Sequence, residues 1–216
     1  MVVLMKQVDV WDAISGKWSE FRNEPIPLVA DFLIDKFGKV LDLACGSGRH
    51  FSAMNPGVEL HGLDISVKQI LLAEEKAKGL GVVSPDLRVH DISESLPYDD
   101  GFIDSAIFIN ALHSIETTDG RKNSLKELFR VLKSGSEALI TVWDKHVNDS
   151  SNREVFKNWD VDGVKFKRYY YLYTKEELLS LLESVGFIIE KVFSNTVSED
   201  VGNFIRRSIV VIVKKP

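Results

Sequence analysis

The run Val40-Leu41-Asp42-Leu43-Ala44-Cys45-Gly46-Ser47-Gly48-Arg49-His50 constrains this chain more than any other part of it: an apolar strand passes straight into a glycine turn and then a helix. Glycines at such a junction let a ligand approach the backbone. In open α/β sheets the crevice beyond the carboxyl ends of the strands is the ligand site, and this turn lies at it.

The rest of the chain fits such a sheet. Short β-branched or apolar runs at 39–43, 58–63, 87–89, 102–109, 138–143, 188–192 and 205–213 predict seven strands. Between them, Leu125, Leu128, Phe129 and Leu132 follow the spacing of a buried helical stripe. Leu178, Leu181 and Leu182 repeat it after a Thr174 cap with Glu177 at the third position. The expected fold is α/β and Rossmann-like, with a doubly wound, mostly parallel sheet and helices on both faces. No repeat, low-complexity tract or Pro/Gly/Ser linker divides the chain, so residues 1–216 are expected to form one domain. Ahead of the first strand, Trp11, Ile14 and Trp18, then Val29, Phe32 and Leu33, predict two further helices within residues 1–37, the second with Pro25 and Pro27 near its start. They are expected to act either as a lid or as a plain cover on one sheet face.

The ligand can be narrowed. A dinucleotide fingerprint needs a third glycine where this chain has Phe51, and there is no P-loop lysine. The second strand ends at Asp64, where a carboxylate accepts hydrogen bonds from ribose hydroxyls. The third ends at Asp91, which with Ile92 is placed to recognise an adenine amino group. Together they describe an adenosine site without phosphates; the plainer alternative is that both acids cap turns.

Composition sets the limits. The 27 basic and 32 acidic residues leave a net charge of −5, which argues against a protein that coats nucleic acid but allows a local basic patch. The single cysteine, Cys45, makes neither an internal disulfide nor a zinc cluster, so a reducing cytoplasm and no metal are expected. Met1 to Met5 lacks the features of a signal peptide, and no apolar run approaches the roughly 20 residues that cross a bilayer.

On these residues the chain is identified as resembling the class I S-adenosylmethionine (SAM) methyltransferases over essentially its whole length. Asp42 to Gly48 resembles their first motif, and Asp64 and Asp91 their ribose and adenine acids. The resemblance implies an antiparallel last strand, in a hairpin flanking residues 194–203. It also implies cofactor contacts at Arg22, Asp42, Ala44, Gly46, Gly48, Asp64, Ile65, Asp91, Ile92 and Asn110, with Arg22 on the methionine carboxylate and Cys45 a small packing residue.

Further segments resemble the tRNA wobble-uridine carboxymethyl methyltransferases. Trp11-Asp12-Ala13-Ile14 with Trp18, Phe21-Arg22 and Pro25-Ile26-Pro27 is similar to their first elements, although Phe21 replaces the usual threonine and Ile26 the usual tryptophan. Asn110-Ala111-Leu112-His113-Ser114 is similar to their V-I-H-H segment with one histidine instead of two, and Arg121 and Arg130-Val131-Leu132-Lys133 also fit. Gly163 to Phe166 followed by Arg168-Tyr169-Tyr170-Tyr171-Leu172-Tyr173 resembles their substrate-side aromatic element. The implied reaction esterifies 5-carboxymethyluridine in tRNA, with a small zinc-ribbon activator subunit as partner. The apolar Val82-Val83 leading into the 87–89 strand is a suitable edge for that subunit.

An acceptor carboxylate, with an ordinary pKa of about 4, is already ionised at neutral pH and needs no general base. Positioning is therefore expected to dominate, through His113 and Arg121 as catalytic candidates and Lys165, Arg168, Tyr169 and Tyr170 as substrate contacts. Each has a plainer alternative: a packed histidine, solvated charges, core tyrosines with at most two facing a ligand. Arg121, Lys122, Lys126, Lys165, Lys167, Arg168, Arg206 and Arg207 are the groups available for a basic surface. Two alternatives remain open: a small-molecule methyltransferase with an enclosed apolar pocket, acting on a quinone or carboxylic acid, and a non-catalytic SAM-binding regulatory subunit.

Overall fold

A computed structural model describes residues 5–145, 152–199 and 204–216, with side chains described outside 195–207. The tip of the last hairpin, Met1 to Leu4, and the side chains of Arg206 and Arg207 lie outside the described residues.

Helices α1 (Gln7–Phe21) and α2 (Pro27–Leu33) precede the first strand, with Pro27 in the first turn of α2, where its missing N–H costs nothing. A Rossmann-like succession follows: β1 (Lys39–Leu43), β2 (Glu59–Asp64), α3 (Val67–Gly79), β3 (Asp86–Val89), β4 (Ile103–Ile109), α4 (Thr118–Val131) and β5 (Leu132–Trp143). Then come β6 (Glu154–Val161), β7 (Val164–Tyr171), α5 (Lys175–Val185), β8 (Ile188–Glu199) and β9 (Phe204–Lys214). The seven-stranded sheet runs β3-β2-β1-β4-β5-β9-β8, and β9 alone is antiparallel to its neighbours.

The strand faces sort the core. Leu41 and Leu43 pack with Leu125 and Leu128 of α4 and Leu178 and Leu182 of α5, whereas Val40 faces Val29 and Leu33 of α2. Both ends of α5 behave as the sequence demands: the Thr174 hydroxyl accepts from the Glu177 N–H at 3.3 Å, and Gly186 ends the helix at φ 111°. Glu177 does not close a capping box, because its carboxylate binds Arg153 and the Tyr171 hydroxyl.

The structure departs from expectation in three places. The glycine turn leads not into an α-helix but into a single 3₁₀ turn, Phe51–Ala53, because Pro56 follows so soon that residue 55 is steered out of the helical region. The substrate-side aromatic segment is one arm of a separate two-stranded ribbon, β6–β7, whose first strand was not expected. Residues 194–199 continue β8 rather than forming a turn.

Candidate active site

The sheet order reverses between β1 and β4, where the connections leave in opposite directions and open a crevice at the strands' carboxyl ends. The residue that follows each strand is held in the left-handed region without being glycine: Ala44 at φ 63° and Asn110 at φ 52°. Such conformations cost free energy and concentrate at functional sites. Asn110 is kept there by Thr141, whose carbonyl and hydroxyl both accept from its N–H at 3.0 and 2.9 Å.

Between these points lies a cavity of about 360 Å³, within the size range of small-molecule sites. Of the expected cofactor residues, Arg22, Asp42, Ala44, Gly46, Asp64, Ile65, Asp91, Ile92 and Asn110 line it. Gly48 does not: it turns the chain at φ 77°, where an added Cβ would meet the Phe51 ring at 2.5 Å. Gly46 faces open space, and the nearest atom to a Cβ there would be Gln69 Oε1 at 3.9 Å. That cradle leaves room for a ligand against the backbone.

The floor is acidic. Asp64 Oδ2 accepts from the Gly46 N–H and Oδ1 from the Ser66 N–H, both at 2.9 Å, which fixes the carboxylate with further lone pairs to offer. Burial, opposed by these N–H groups, pushes Asp64 up to about 6. Asp42 is wholly buried, its Oδ2 meets no hydrogen-bond partner, and burial followed by repulsion from Asp64 pushes it up to about 8. Two desolvated acids facing one cavity fit a cationic ligand. His50 is pushed down to about 3, mainly by burial and then by Arg49 and Lys76, and stays neutral. Asp91 accepts from the Ser93 N–H at 2.9 Å and its hydroxyl at 2.7 Å beside Ile92.

The lining is also aromatic: Trp11 and Trp18 come from α1, Trp143 from the end of β5 and Tyr170 from β7. The Trp143 and Tyr170 rings lie 3.9 Å apart, inclined at 36°.

The expected acceptor-side residues separate. Tyr170 lines the cavity, but His113, Arg121, Lys165, Arg168 and Tyr169 do not. His113 is fully buried behind the wall, stacked on Trp143. Arg121 is buried under the 115–118 loop, donating to the carbonyls of Ile115 and Glu116 at 2.8 and 3.1 Å and to the Thr118 hydroxyl at 3.0 Å. Arg168 sits among aromatic rings, 4.8 Å from Trp18, 5.0 Å from Trp159 and 5.3 Å from Tyr170. Strand alternation explains the rest: Arg168 and Tyr170 share the ribbon face toward α1, while Lys165 and Tyr169 lie on the other, where Tyr169 packs on Phe156. Arg130 is bound to Glu127 and Asp100 and caps the Leu96–Tyr98 carbonyls.

Sequence reasoning missed Gln7, Ser47, Arg49, His50, Gln69, Trp143 and Glu116, all of which line the cavity. Trp143 carried a usable signal, since it ends a strand on the ligand side of the sheet. Gln69 and Gln7 carried none.

The methyltransferase domain family model matches residues 34–186. The chain belongs to this family. This methyltransferase is similar to the Arabidopsis thaliana tRNA (carboxymethyluridine(34)-5-O)-methyltransferase, with 35% identity over 66% of this chain and 33% of that protein. It is similar to the Schizosaccharomyces pombe protein of the same name at 27% identity, over 82% of this chain and 86% of that one. The chain thus spans about a third of the Arabidopsis relative and most of the fission-yeast one. In fold it matches a Haloferax volcanii putative methyltransferase solved in complex with the Trm112 methyltransferase activator, with a TM-score of 0.70, 16% identity and 98% of each chain covered.

The residues present fit SAM as the methyl donor. Asp64 would hold the ribose hydroxyls, Asp91 and Ile92 the adenine edge, and the Ala44–Gly46 turn with Arg22 and Asn110 the methionine end. The unpartnered Asp42 Oδ2 and the glycine cradle are what such a cation and its close backbone approach require. When bound, the cofactor supplies an electrophilic methyl group on a sulfonium.

Proposed function

We propose that this methyltransferase transfers the methyl group of SAM to the carboxylate of 5-carboxymethyluridine at the tRNA wobble position, forming the methyl ester. The observation that carries this reading is that the aromatic side chains Trp11, Trp18, Trp143 and Tyr170 line the same cavity as the acidic cofactor residues. A splayed base is recognised by stacking on aromatic faces, and these rings offer that. The names of the Arabidopsis and fission-yeast relatives support the acceptor.

An ionised carboxylate is its own nucleophile, so the chain's work is to orient it and exclude water. Trp143 and Tyr170, packed on each other, present one aromatic face to the acceptor, α1 roofs the site as a lid, and Arg22 and Arg49 supply positive charge at the cavity lining. Arg121 and Arg168 act from behind the wall. Arg121 shapes the 115–118 loop, and Arg168 stacks the rings. His113 holds Trp143 in place.

The tRNA approaches over the exposed Lys165 and Lys167 of the ribbon and Lys122 and Lys126 of α4. A zinc-ribbon activator adds to the edge strand β3, beside Val83 (86% exposed), Leu71 (55%), Val67 (49%) and Val89 (48%). The Haloferax complex supports a partner of that type. A reducing cytoplasm is the compartment that suits such a partner and the lone buried cysteine. No helix among the described residues is long and apolar enough to cross a membrane.

The test is to supply labelled SAM with bulk tRNA from cells unable to form the ester, or with a panel of quinones and small carboxylic acids. Label in nuclease-sensitive RNA supports the proposal; label in the small molecules alone overturns it.

A further inference from the structure

We propose that Asp12 and Gln7 are positioning residues that fasten α1 to both halves of the site, so that filling the cofactor half also fixes the acceptor ribbon. The inference rests on reading the acidic floor as the SAM half and β6–β7 as the acceptor half.

Helix α1 has 15 residues and no side-chain cap at its start. A helix of that length is marginal in water by itself, so its place depends on what it is tied to. On the cofactor side, Asp12 Oδ1 accepts from the Ser66 hydroxyl and, at 3.2 Å, from the Lys68 N–H. The Ser66 hydroxyl accepts from the Gln69 N–H at 3.1 Å, and the Ser66 N–H donates to Asp64 at 2.9 Å. Asp64, Ser66 and Asp12 therefore form one polar chain from the ribose acid to the lid helix. Charge-assisted bonds of this kind are the stronger ones.

On the acceptor side, Gln7 bonds β7 as a neighbouring strand would. Its Nε2 donates to the Lys167 carbonyl at 3.2 Å, and its Oε1 accepts from the Tyr169 N–H at 2.9 Å. Those two bonds flank Arg168 and precede Tyr170, whose ring reaches the cavity. Trp18 adds an edge-to-face contact to Trp159 of β6 at 5.2 Å. Trp11 and Trp18, on the same helix, line the cavity between the two fastenings. A ligand that presses on these tryptophans and on Asp64 orders α1, and α1 carries the order to β7.

Hydrogen–deuterium exchange of the full chain with and without S-adenosylhomocysteine tests this without any RNA. In the wild type, the ligand should protect α1 and also the β7 amides around Tyr169. At saturating ligand, Gln7→Ala should keep the protection of α1 yet lose that of β7. Asp12→Ala should weaken binding about tenfold and lose protection in both elements, while Asp12→Asn, which keeps the acceptor oxygen, should stay within about threefold. Unchanged β7 protection in Gln7→Ala, or Asp12→Asn as damaging as Asp12→Ala, would overturn the inference alone. Failure of the wild type to bind the ligand would overturn the cofactor reading and this inference with it.

Discussion

His113 Nδ1 accepts a hydrogen bond from the Trp143 backbone N–H at 3.1 Å, and the two rings stack with centroids 4.7 Å apart. The histidine thus acts on the acceptor wall from behind rather than on the acceptor. His113→Phe keeps the stack but leaves a buried N–H without its acceptor, which costs about 1–3 kcal/mol. The expected result is a lower Tm and slower turnover with SAM affinity unchanged, measured by thermal unfolding and calorimetry. A loss of SAM binding would place His113 in the cofactor half instead.

The acids of the floor predict a pH dependence. Asp42 and Asp64 are raised from 3.8 to about 8 and about 6, so the stability they allow is complete below pH 3.8 and is lost as pH rises through those values. His50, lowered from 6.5 to about 3, works the other way: its contribution is complete above pH 6.5 and is lost as pH falls toward 3. Between pH 6.5 and 8 Asp42 decides the slope, and the free chain should lose stability at up to about 1.4 kcal/mol per pH unit. A bound cation offsets the charge, so the Tm gap between SAM-bound and free chain should widen over that window. A constant gap would contradict the assignment of Asp42 to the cation.

Gly48→Ala forces a Cβ to within 2.5 Å of the Phe51 ring at φ 77°. The turn must shift, with an expected loss of about 1–3 kcal/mol and a weaker cofactor site. Gly57→Ala, also at positive φ (86°) but with nothing within 4 Å of the added Cβ, is the control for backbone strain alone. Urea unfolding of the pair separates the clash from the strain, and equal losses would show that the Phe51 contact contributes nothing.

Lys165 and Lys167 are exposed on the ribbon face turned away from α1. Their joint replacement by glutamate should weaken tRNA binding at least about tenfold and lower the slope of log affinity against log salt by about 2. SAM affinity should not move. Filter binding across a salt series reads both, and an unchanged slope would remove the ribbon from the RNA surface.

The parallel core was legible because its signals are local: apolar strands, the glycine turn, and acids at the ends of β2 and β3. Asp64 and Asp91 line the cavity at those strand ends, and Arg22, named through the family resemblance, lines it too. The ribbon strand β6 was missed although its signal is local: Glu154 to Val161 alternates polar and apolar residues and runs into Asp162-Gly163, a two-residue hairpin turn with both residues at positive φ (52° and 82°). Of the residues expected on the acceptor side only Tyr170 lines the cavity. Arg121 and Arg168 are cations, and sequence favours solvent or substrate for a cation; here loop carbonyls and indole rings take that role. Gln7 matters only through folding that brings residues 160 and more positions apart into contact, which no periodicity reveals.

The central claim is that the acceptor is a carboxylate on the wobble uridine. Its most direct test is to transfer labelled methyl from SAM to tRNA bearing 5-carboxymethyluridine, with and without a zinc-ribbon activator, and then treat the isolated nucleoside with mild alkali. The expected result is label on that nucleoside that alkali releases as methanol. Alkali-stable label, or no label despite measurable SAM binding, would contradict it.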